Sequence, residues 1–149
     1  MALLNNKHPF VRVVLIYAAL LIGLGGASDC EAVDVIVNPS VPVHPISRGV
    51  ARAIFGMRMT RWPDGSPIRV FVLGDGDPVH VAFCKEVLDI YPYQLRAAWD
   101  RLVYSGSGQA PTELASEQEM LARVASTPGA IGYLERRLVN VRVRLLPVQ

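Results

Sequence analysis

Reaction chemistry would need an activated side chain, and this chain has few of the right type and spacing. Beyond residue 32 the histidines are His44, in a proline-rich stretch, and His80, in the first turn of a predicted helix. Neither stands at a metal-ligand spacing from a cysteine or a carboxylate, so we expect both to be solvated surface residues. Gly106-Ser107-Gly108 lacks the strand-to-helix spacing of a hydrolase nucleophile. The pattern predicts a protein that is not an enzyme, with no catalytic residue, no metal site and no cofactor.

Aromatic residues are a second group that could bind a ligand. Trp62 and Trp99, together with Tyr91, Tyr93 and Tyr104, could form a platform for a sugar or a peptide. We favour packing in the core, because Trp99 lies within a regular apolar helical stripe and Trp62 belongs to a turn. The aromatic residues therefore predict structure rather than recognition.

Charge and cysteine content exclude some classes of partner. The formal net charge is only +2, which does not indicate nucleic-acid binding. The C-terminal arginines fit the wet face of a strand, with a partner or membrane surface as the alternative: Arg136, Arg137, Arg142 and Arg144. Cys84, in a predicted helix, is expected to be a small buried hydrophobe, and its pairing with Cys30 stays open.

The first 32 residues are predicted to be a signal peptide. Lys7 and Arg12 provide a positive segment, Val13–Leu24 is apolar, and small residues follow. Cleavage is expected after Ala27 or after Ala32, which directs the protein to the periplasm. The alternative is a retained membrane anchor, which we disfavour because the apolar run is shorter than the roughly 20 residues that span a bilayer. Residues 33–149 then form one domain.

The first half of that domain is predicted to form a strand, a helix and a second strand. Val33–Val37 is β-branched and predicts a buried strand, and a connector with prolines follows. Ser47 is expected to cap a helix that ends at Gly56 in the left-handed conformation. Pro63-Asp64-Gly65 predicts a turn before a strand over Ile68–Leu73.

The second half alternates in the same way. Asp77, with Pro78 after it, is expected to cap a helix; a further helix runs over Pro92–Tyr104, and a capping box of Ser116 and Glu119 opens another. Strands are predicted over Ala130–Leu134 and, from alternating Val and Arg, over Val139–Leu145. The fold class is therefore α/β: a mixed sheet of three or four strands with about four helices, in two or three layers.

Two phrases in this order resemble a known family. Ala53-Ile54-Phe55-Gly56 leads into Thr60-Arg61-Trp62-Pro63-Asp64-Gly65, and Pro128-Gly129-Ala130-Ile131-Gly132-Tyr133 follows much later. The pair resembles the phosphate-binding proteins of ABC transporters, which have the type 2 periplasmic binding protein fold. The resemblance covers roughly residues 33 to 133 and implies one lobe of that fold.

The chain departs from this family where the family holds phosphate. The resemblance implies an arginine and then Ser-Gly-Thr at a helix N-terminus, whereas this sequence has Leu73 followed by Gly-Asp-Gly-Asp-Pro. Asp75 and Asp77 place negative side chains there, and Pro78 removes an amide donor. The family's first lobe would also precede Val33, so the resemblance implies at most one wall of a ligand crevice.

We therefore expect an exported, non-enzymatic binding or interaction module that acts through a periplasmic or membrane protein partner or as a homodimer. The predicted C-terminal strand, an exposed sheet edge, is the expected contact surface. The alternative is a genuine solute-binding protein for phosphate or another small oxyanion. Its remaining candidate donors are Ser40, Ser105, Gly106, Ser107 and Gly108.

Overall fold

A computed structural model describes residues 32–149 and places five strands of that range in one mixed sheet. The strands lie in the order β3-β2-β4-β1-β5. The edge strand β3, its neighbour β2 and the central β4 are parallel, whereas β1 runs antiparallel to both β4 and β5. Their bounds are β1 (Val33–Val37), β2 (Arg69–Leu73), β3 (Thr112–Leu114), β4 (Ala130–Glu135) and β5 (Arg144–Leu145).

Helices join these strands, and local caps explain where they begin. The helices are α1 (Arg48–Phe55), α2 (Pro78–Ala82) with its π-helical continuation Phe83–Leu88, α3 (Pro92–Tyr104) and α4 (Glu117–Ser126). The Ser47 hydroxyl accepts the Val50 N–H at 3.2 Å, which confirms the predicted start of α1. Among residues 32–149, no helix is long and apolar enough to cross a bilayer, and the predicted signal segment lies outside this range.

Helices cover both faces of the sheet. In a strand, successive side chains point to opposite faces, so Gly132 and Tyr133 on β4 report on different layers. The Tyr133 ring stacks on Phe83 at 3.9 Å between ring centres and also faces Phe55 of α1. A Cβ on Gly132 would lie 2.4 Å from the Met120 sulfur of α4. The domain is thus an α/β structure, as predicted, with three layers, one of the two arrangements that the sequence left open.

Both tryptophans lie in the core, which confirms the packing interpretation for them, whereas Tyr91, Tyr93 and Tyr104 are exposed. Trp62 is 6% exposed and its indole N–H donates to the Gly129 carbonyl at 3.0 Å. Trp99 is 1% exposed and donates to the Phe55 carbonyl at 2.8 Å. Each indole therefore ties two chain segments together while its ring fills the core.

The end of α1 differs from the prediction. Gly56 has φ −77°, and the left-handed residue is Met57, at φ 61°. A glycine is still required at position 56 because a Cβ there would lie 2.7 Å from the Arg52 carbonyl. Close approach of the backbone, rather than a positive φ, is the physical reason for Gly56.

The prediction for the C-terminal strand was wrong in extent. Arg136–Leu138 is a 3₁₀ turn, and only Arg144–Leu145 pairs with β1. Asn140 breaks the alternating pattern, because its side-chain oxygen accepts the Arg142 N–H at 3.0 Å and its carbonyl accepts the Val143 N–H. Such Asx turns compete with a strand ladder.

The sheet also has one strand more than the upper prediction of four. The missed strand is β3, which has only three residues, of which Thr112 and Glu113 are exposed. It pairs in parallel with β2 at the edge of the sheet. A segment this short has too few residues to show a periodic pattern.

Candidate functional site

The strongest candidate site lies where the parallel strands end. In open α/β sheets, ligands bind beyond the carboxyl ends of the strands. Here β2 leads through Gly74–Asp77 into α2, and β3 leads through Ser116 into α4. Two helix N-termini, which favour negative charge, therefore follow neighbouring strands at the same edge.

The chain's own side chains already occupy these helix starts. The Asp77 carboxylate accepts the Val79 N–H at 2.8 Å, and Pro78 has no N–H to offer, which confirms the predicted cap. At α4, the Ser116 hydroxyl accepts the Glu119 N–H at 3.2 Å, and the Glu119 carboxylate accepts the Ala115 N–H. The second bond of the predicted capping box is thus one residue further back than expected.

A charged cluster stands beside the Asp77 cap. The Arg96 guanidinium donates to both Asp75 carboxylate oxygens, at 2.8 and 2.9 Å, and to Glu113 at 3.1 Å. Its hydrogen bonds lower the pKa of Asp75, and those of the Asp75 carboxylate raise the pKa of Arg96. Together with the neighbouring Asp77, this edge has three carboxylates and one guanidinium, so it repels a free anion.

Beneath this cluster, His80 and Tyr133 form a buried hydrogen-bonded pair. The Tyr133 hydroxyl accepts the Leu73 N–H at 2.7 Å and lies 2.5 Å from His80 Nδ1. The hydroxyl also needs an acceptor for its own proton, and His80 Nδ1 lies within hydrogen-bonding distance, so we assign the hydroxyl as the donor to Nδ1. His80 then carries its proton on Nε2, which lies 3.5 Å from the Cys84 sulfur and 3.9 Å from Asp75.

The prediction of a solvated His80 was therefore wrong, since the side chain is fully buried. Burial lowers the pKa of His80, raises the pKa of Tyr133, and raises the pKa of the Cys84 thiol to about 12. Cys84 is buried, as predicted, and it is a free thiol, a point that the sequence left open. His44 is exposed, as predicted. Within residues 32–149, no group of three His, Cys, Asp or Glu side chains is arranged to hold a metal ion.

Buried His80 predicts that the protein loses stability on mild acidification. Its pKa lies below the ordinary value of 6.5, so the stability from the neutral ring is fully present above that pH. As the pH falls further, the unfolded chain binds a proton that the folded protein does not. The free energy of unfolding should fall by up to about 1.4 kcal/mol per pH unit.

Urea denaturation between about pH 7.5 and about pH 5, a range that spans the titration of an ordinary histidine, tests this dependence. His80→Gln should flatten the slope, whatever its effect on stability at neutral pH. His44→Gln, which changes an exposed histidine, is the control and should keep the slope. An unchanged slope in His80→Gln would contradict the assignment.

The five predicted ligand-binding residues lie in two places with different neighbours. The Ser40 hydroxyl accepts the Gly129 N–H at 3.0 Å, at the end of β1. Ser105–Gly108 forms a turn after α3, in which the N–H groups of Ser107 and Gly108 both donate to the Leu102 carbonyl. Ser105 and Ser107 line a groove between α1 and α3, which Ser40 does not. Their role as ligand donors stays a prediction.

Sequence reasoning missed Arg96 and Glu113. Both are ordinary surface types, on α3 and β3. Arg96 contacts Asp75 across 21 positions of the chain, and Glu113 contacts Arg96 across 17. One local signal was present: Arg96 and Trp99 are three residues apart on one helical face, and the guanidinium lies 4.9 Å from the indole ring centre.

Comparison with known proteins shows which solved structures have a similar fold. No family model and no curated protein matches the chain. Three solved structures are similar to it: an ABC-type phosphate transport receptor from Vibrio cholerae (14% identity, TM-score 0.60), a putative phosphate ABC transporter substrate-binding protein with bound phosphate from Clostridium perfringens (18%, 0.61) and PstS from Borrelia burgdorferi (15%, 0.60).

These matches cover 78%, 78% and 79% of this chain and 45%, 44% and 47% of the respective solved chains. The chain thus spans less than half the length of the structures that it matches. Identities of this size speak for the fold alone. The described part of this chain has the fold found in phosphate ABC transporter substrate-binding proteins.

Proposed function

We propose that residues 33–149 act as an exported, non-enzymatic binding and interaction module. The fold supports descent from phosphate ABC transporter substrate-binding proteins. A fold does not determine which ligand is bound, so the ligand has to be inferred from the side chains at the strand ends.

The observation that carries this proposal is the carboxylate at the start of α2. Asp77 takes the first free N–H of the helix, and Asp75 and Glu113 neutralise Arg96, the cation of this cluster. A phosphate ion would have to displace a carboxylate that is covalently part of the chain. It would also face a local excess of negative charge.

Phosphate should therefore bind weakly, with a Kd no tighter than about 1 mM, equivalent to about −4 kcal/mol. Isothermal titration with phosphate in low-salt buffer measures this affinity. Asp77→Ala should lower the free energy of unfolding by about 1 kcal/mol and leave any phosphate affinity unchanged or slightly improved. Asp77→Ser, which keeps a capping oxygen without the charge, is the matched control for the cap.

A micromolar Kd would support the alternative function, a solute-binding protein for phosphate or another small oxyanion. The bound phosphate in the matched structure from Clostridium perfringens favours keeping this alternative. Titrations with sulfate and molybdate in the same buffer would then identify the oxyanion.

Export to the periplasm is the second part of the proposal. It rests on the apolar run and the small residues before Val33. N-terminal sequencing of the periplasmic protein should show a start between residues 28 and 33. A protein that keeps residue 1 and fractionates with membranes would favour the anchor instead.

A protein partner or a second copy is expected at the β5 edge. β5 is the last strand of the sheet, Leu145 is 48% exposed, and Val141, in the turn before β5, is 99% exposed. An open edge with apolar side chains can accept a strand or pair about a two-fold axis.

Light scattering over a concentration series should show a dimer, or crosslinking should capture a periplasmic protein. Leu145→Glu should abolish either association. Val103→Glu, at a position of equal exposure (50%) on α3, is the matched control and should not. Truncation after Glu135 is a poorer test, because it also removes the buried Val143 and Leu146. A monomer without a partner would contradict this prediction.

A further inference from the structure

A groove of about 680 Å³ lies between the end of α1 and one face of α3. Its apolar lining is formed by Ile90, Leu95, Ala98 and Leu102, all at least half buried. It shares no residue with the cluster of Asp75, Asp77, Arg96 and Glu113 at the strand ends. The volume falls within the range of roughly 300–1,000 Å³ that is typical of small-molecule sites.

The charged groups in this groove are all positive. Arg52, Arg58 and Arg101 line it, and no aspartate or glutamate does. Arg52 is held at one end, where it donates to the Leu88 carbonyl and pairs with Asp89 at 3.2 Å. Within residues 32–149, neither Arg58 nor Arg101 has an ion-pair partner.

Helix dipoles offset part of this charge but not all of it. Arg58 follows the C-terminus of α1, and Arg101 lies in the last turn of α3. Each helix C-terminus carries about half a negative charge, so two guanidinium groups leave an excess of about one positive charge. The groove therefore attracts an anion, in contrast to the strand ends.

The charged donors left for that anion are Arg58 and Arg101, because Arg52 is already paired. The Ser105 hydroxyl donates to the Leu102 carbonyl at 3.2 Å, so the Ser107 hydroxyl donates to Ser105 at 2.6 Å. The amides of Ser107 and Gly108 are also used within the turn. Guanidinium groups bind carboxylates and phosphates through paired N–H donors.

The apolar lining indicates which kind of chemical group carries the anion. An inorganic ion would leave Ile90, Leu95 and Ala98 uncovered. An extended peptide would bury its backbone polar groups against these side chains without partners. The Gln94 side-chain oxygen already accepts the Tyr91 N–H, so it has one lone pair left for such a backbone. A hydrocarbon body matches the lining without this cost.

We propose that this groove binds a small amphiphilic anion, taken up as a monomer from solution. Arg58 and Arg101 hold its carboxylate or phosphate head, and its apolar body lies along Leu102, Ala98 and Leu95 toward Ile90. This inference rests on the proposed binding function and gives it a ligand class.

Isothermal titration with decanoate, below its micelle concentration, tests the groove. We expect saturable binding of decanoate and of decyl phosphate. Acetate and phosphate, which lack the tail, and decyltrimethylammonium, which inverts the charge, should not bind. Equal binding of decyltrimethylammonium would show nonspecific apolar adsorption and overturn the proposal, as would binding to anionic lipid vesicles or to an acidic peptide but not to decanoate.

Variants locate the site on the protein. Arg58→Gln and Arg101→Gln should each weaken decanoate binding about tenfold, since each removes a charged donor pair. Arg142→Gln, at an exposed position outside the groove, should not. Ala98→Phe should abolish binding by filling the groove, whereas Ala97→Phe, on the exposed side of the same helix, should not.

Unchanged affinity in the arginine variants would place decanoate elsewhere and overturn the proposal. No binding of decanoate or decyl phosphate would also overturn it. The proposed interaction at β5 would then still be judged by its own scattering experiment, so the two failures are distinguishable.

Discussion

Gly129→Ala is expected to destabilise the protein by about 3 kcal/mol or more, from backbone strain plus overpacking. Gly129 has φ +76°, where a Cβ is unfavourable by itself. An added Cβ would also lie 2.3 Å from the Pro67 carbonyl oxygen, a backbone atom that cannot rotate away. The turn cannot shift as a whole, because its N–H bonds to Ser40 and its carbonyl accepts from Trp62 and Arg69.

Denaturant unfolding of Gly129→Ala, followed by circular dichroism, measures the loss. Gly106→Ala separates the two causes, because Gly106 has φ +67° and nothing within 4 Å of an added Cβ. That control should cost only about 1 kcal/mol, the conformational part alone. Equal losses in the two variants would contradict the role assigned to the Pro67 contact.

Tyr133→Phe is expected to cost about 2–4 kcal/mol, although it removes one oxygen atom and keeps the stacked ring. The hydroxyl is the partner of the Leu73 N–H and of His80 Nδ1. Both groups are buried, with His80 and Leu73 each 0% exposed. Each would lose its hydrogen bond without access to water, and an unsatisfied buried group costs about 1–3 kcal/mol.

Urea unfolding at about pH 8, where histidine is neutral in the unfolded chain, measures this cost without a contribution from protonation of His80. Tyr104→Phe is the matched control, since Tyr104 is 89% exposed, and it should change stability by less than about 0.5 kcal/mol. A loss below about 1 kcal/mol in Tyr133→Phe would mean that water satisfies the two groups.

The sequence by itself determined the local features of this domain. Ser47, Asp77 and Ser116 cap helices where predicted, because a cap needs only its own side chain and an amide two or three residues away. The strands Val33–Val37 and Ala130–Glu135 were found because strands buried on both faces are continuously apolar. The difference at Leu73 and Asp77 from what the family resemblance implies could also be predicted from the local sequence.

Only the tertiary structure decided which distant side chains meet. His80 looked like a surface residue because the partner that makes its burial favourable, Tyr133, is 53 positions away. Arg96 meets Asp75 because the fold brings α3 next to the loop that follows β2, and no short-range pattern predicts that contact. Arg58 and Arg101 share a groove for the same reason. The sequence shows directly which side chains are present. Which of them contact one another depends on long-range packing, and that packing is determined by the whole chain and not by any short segment.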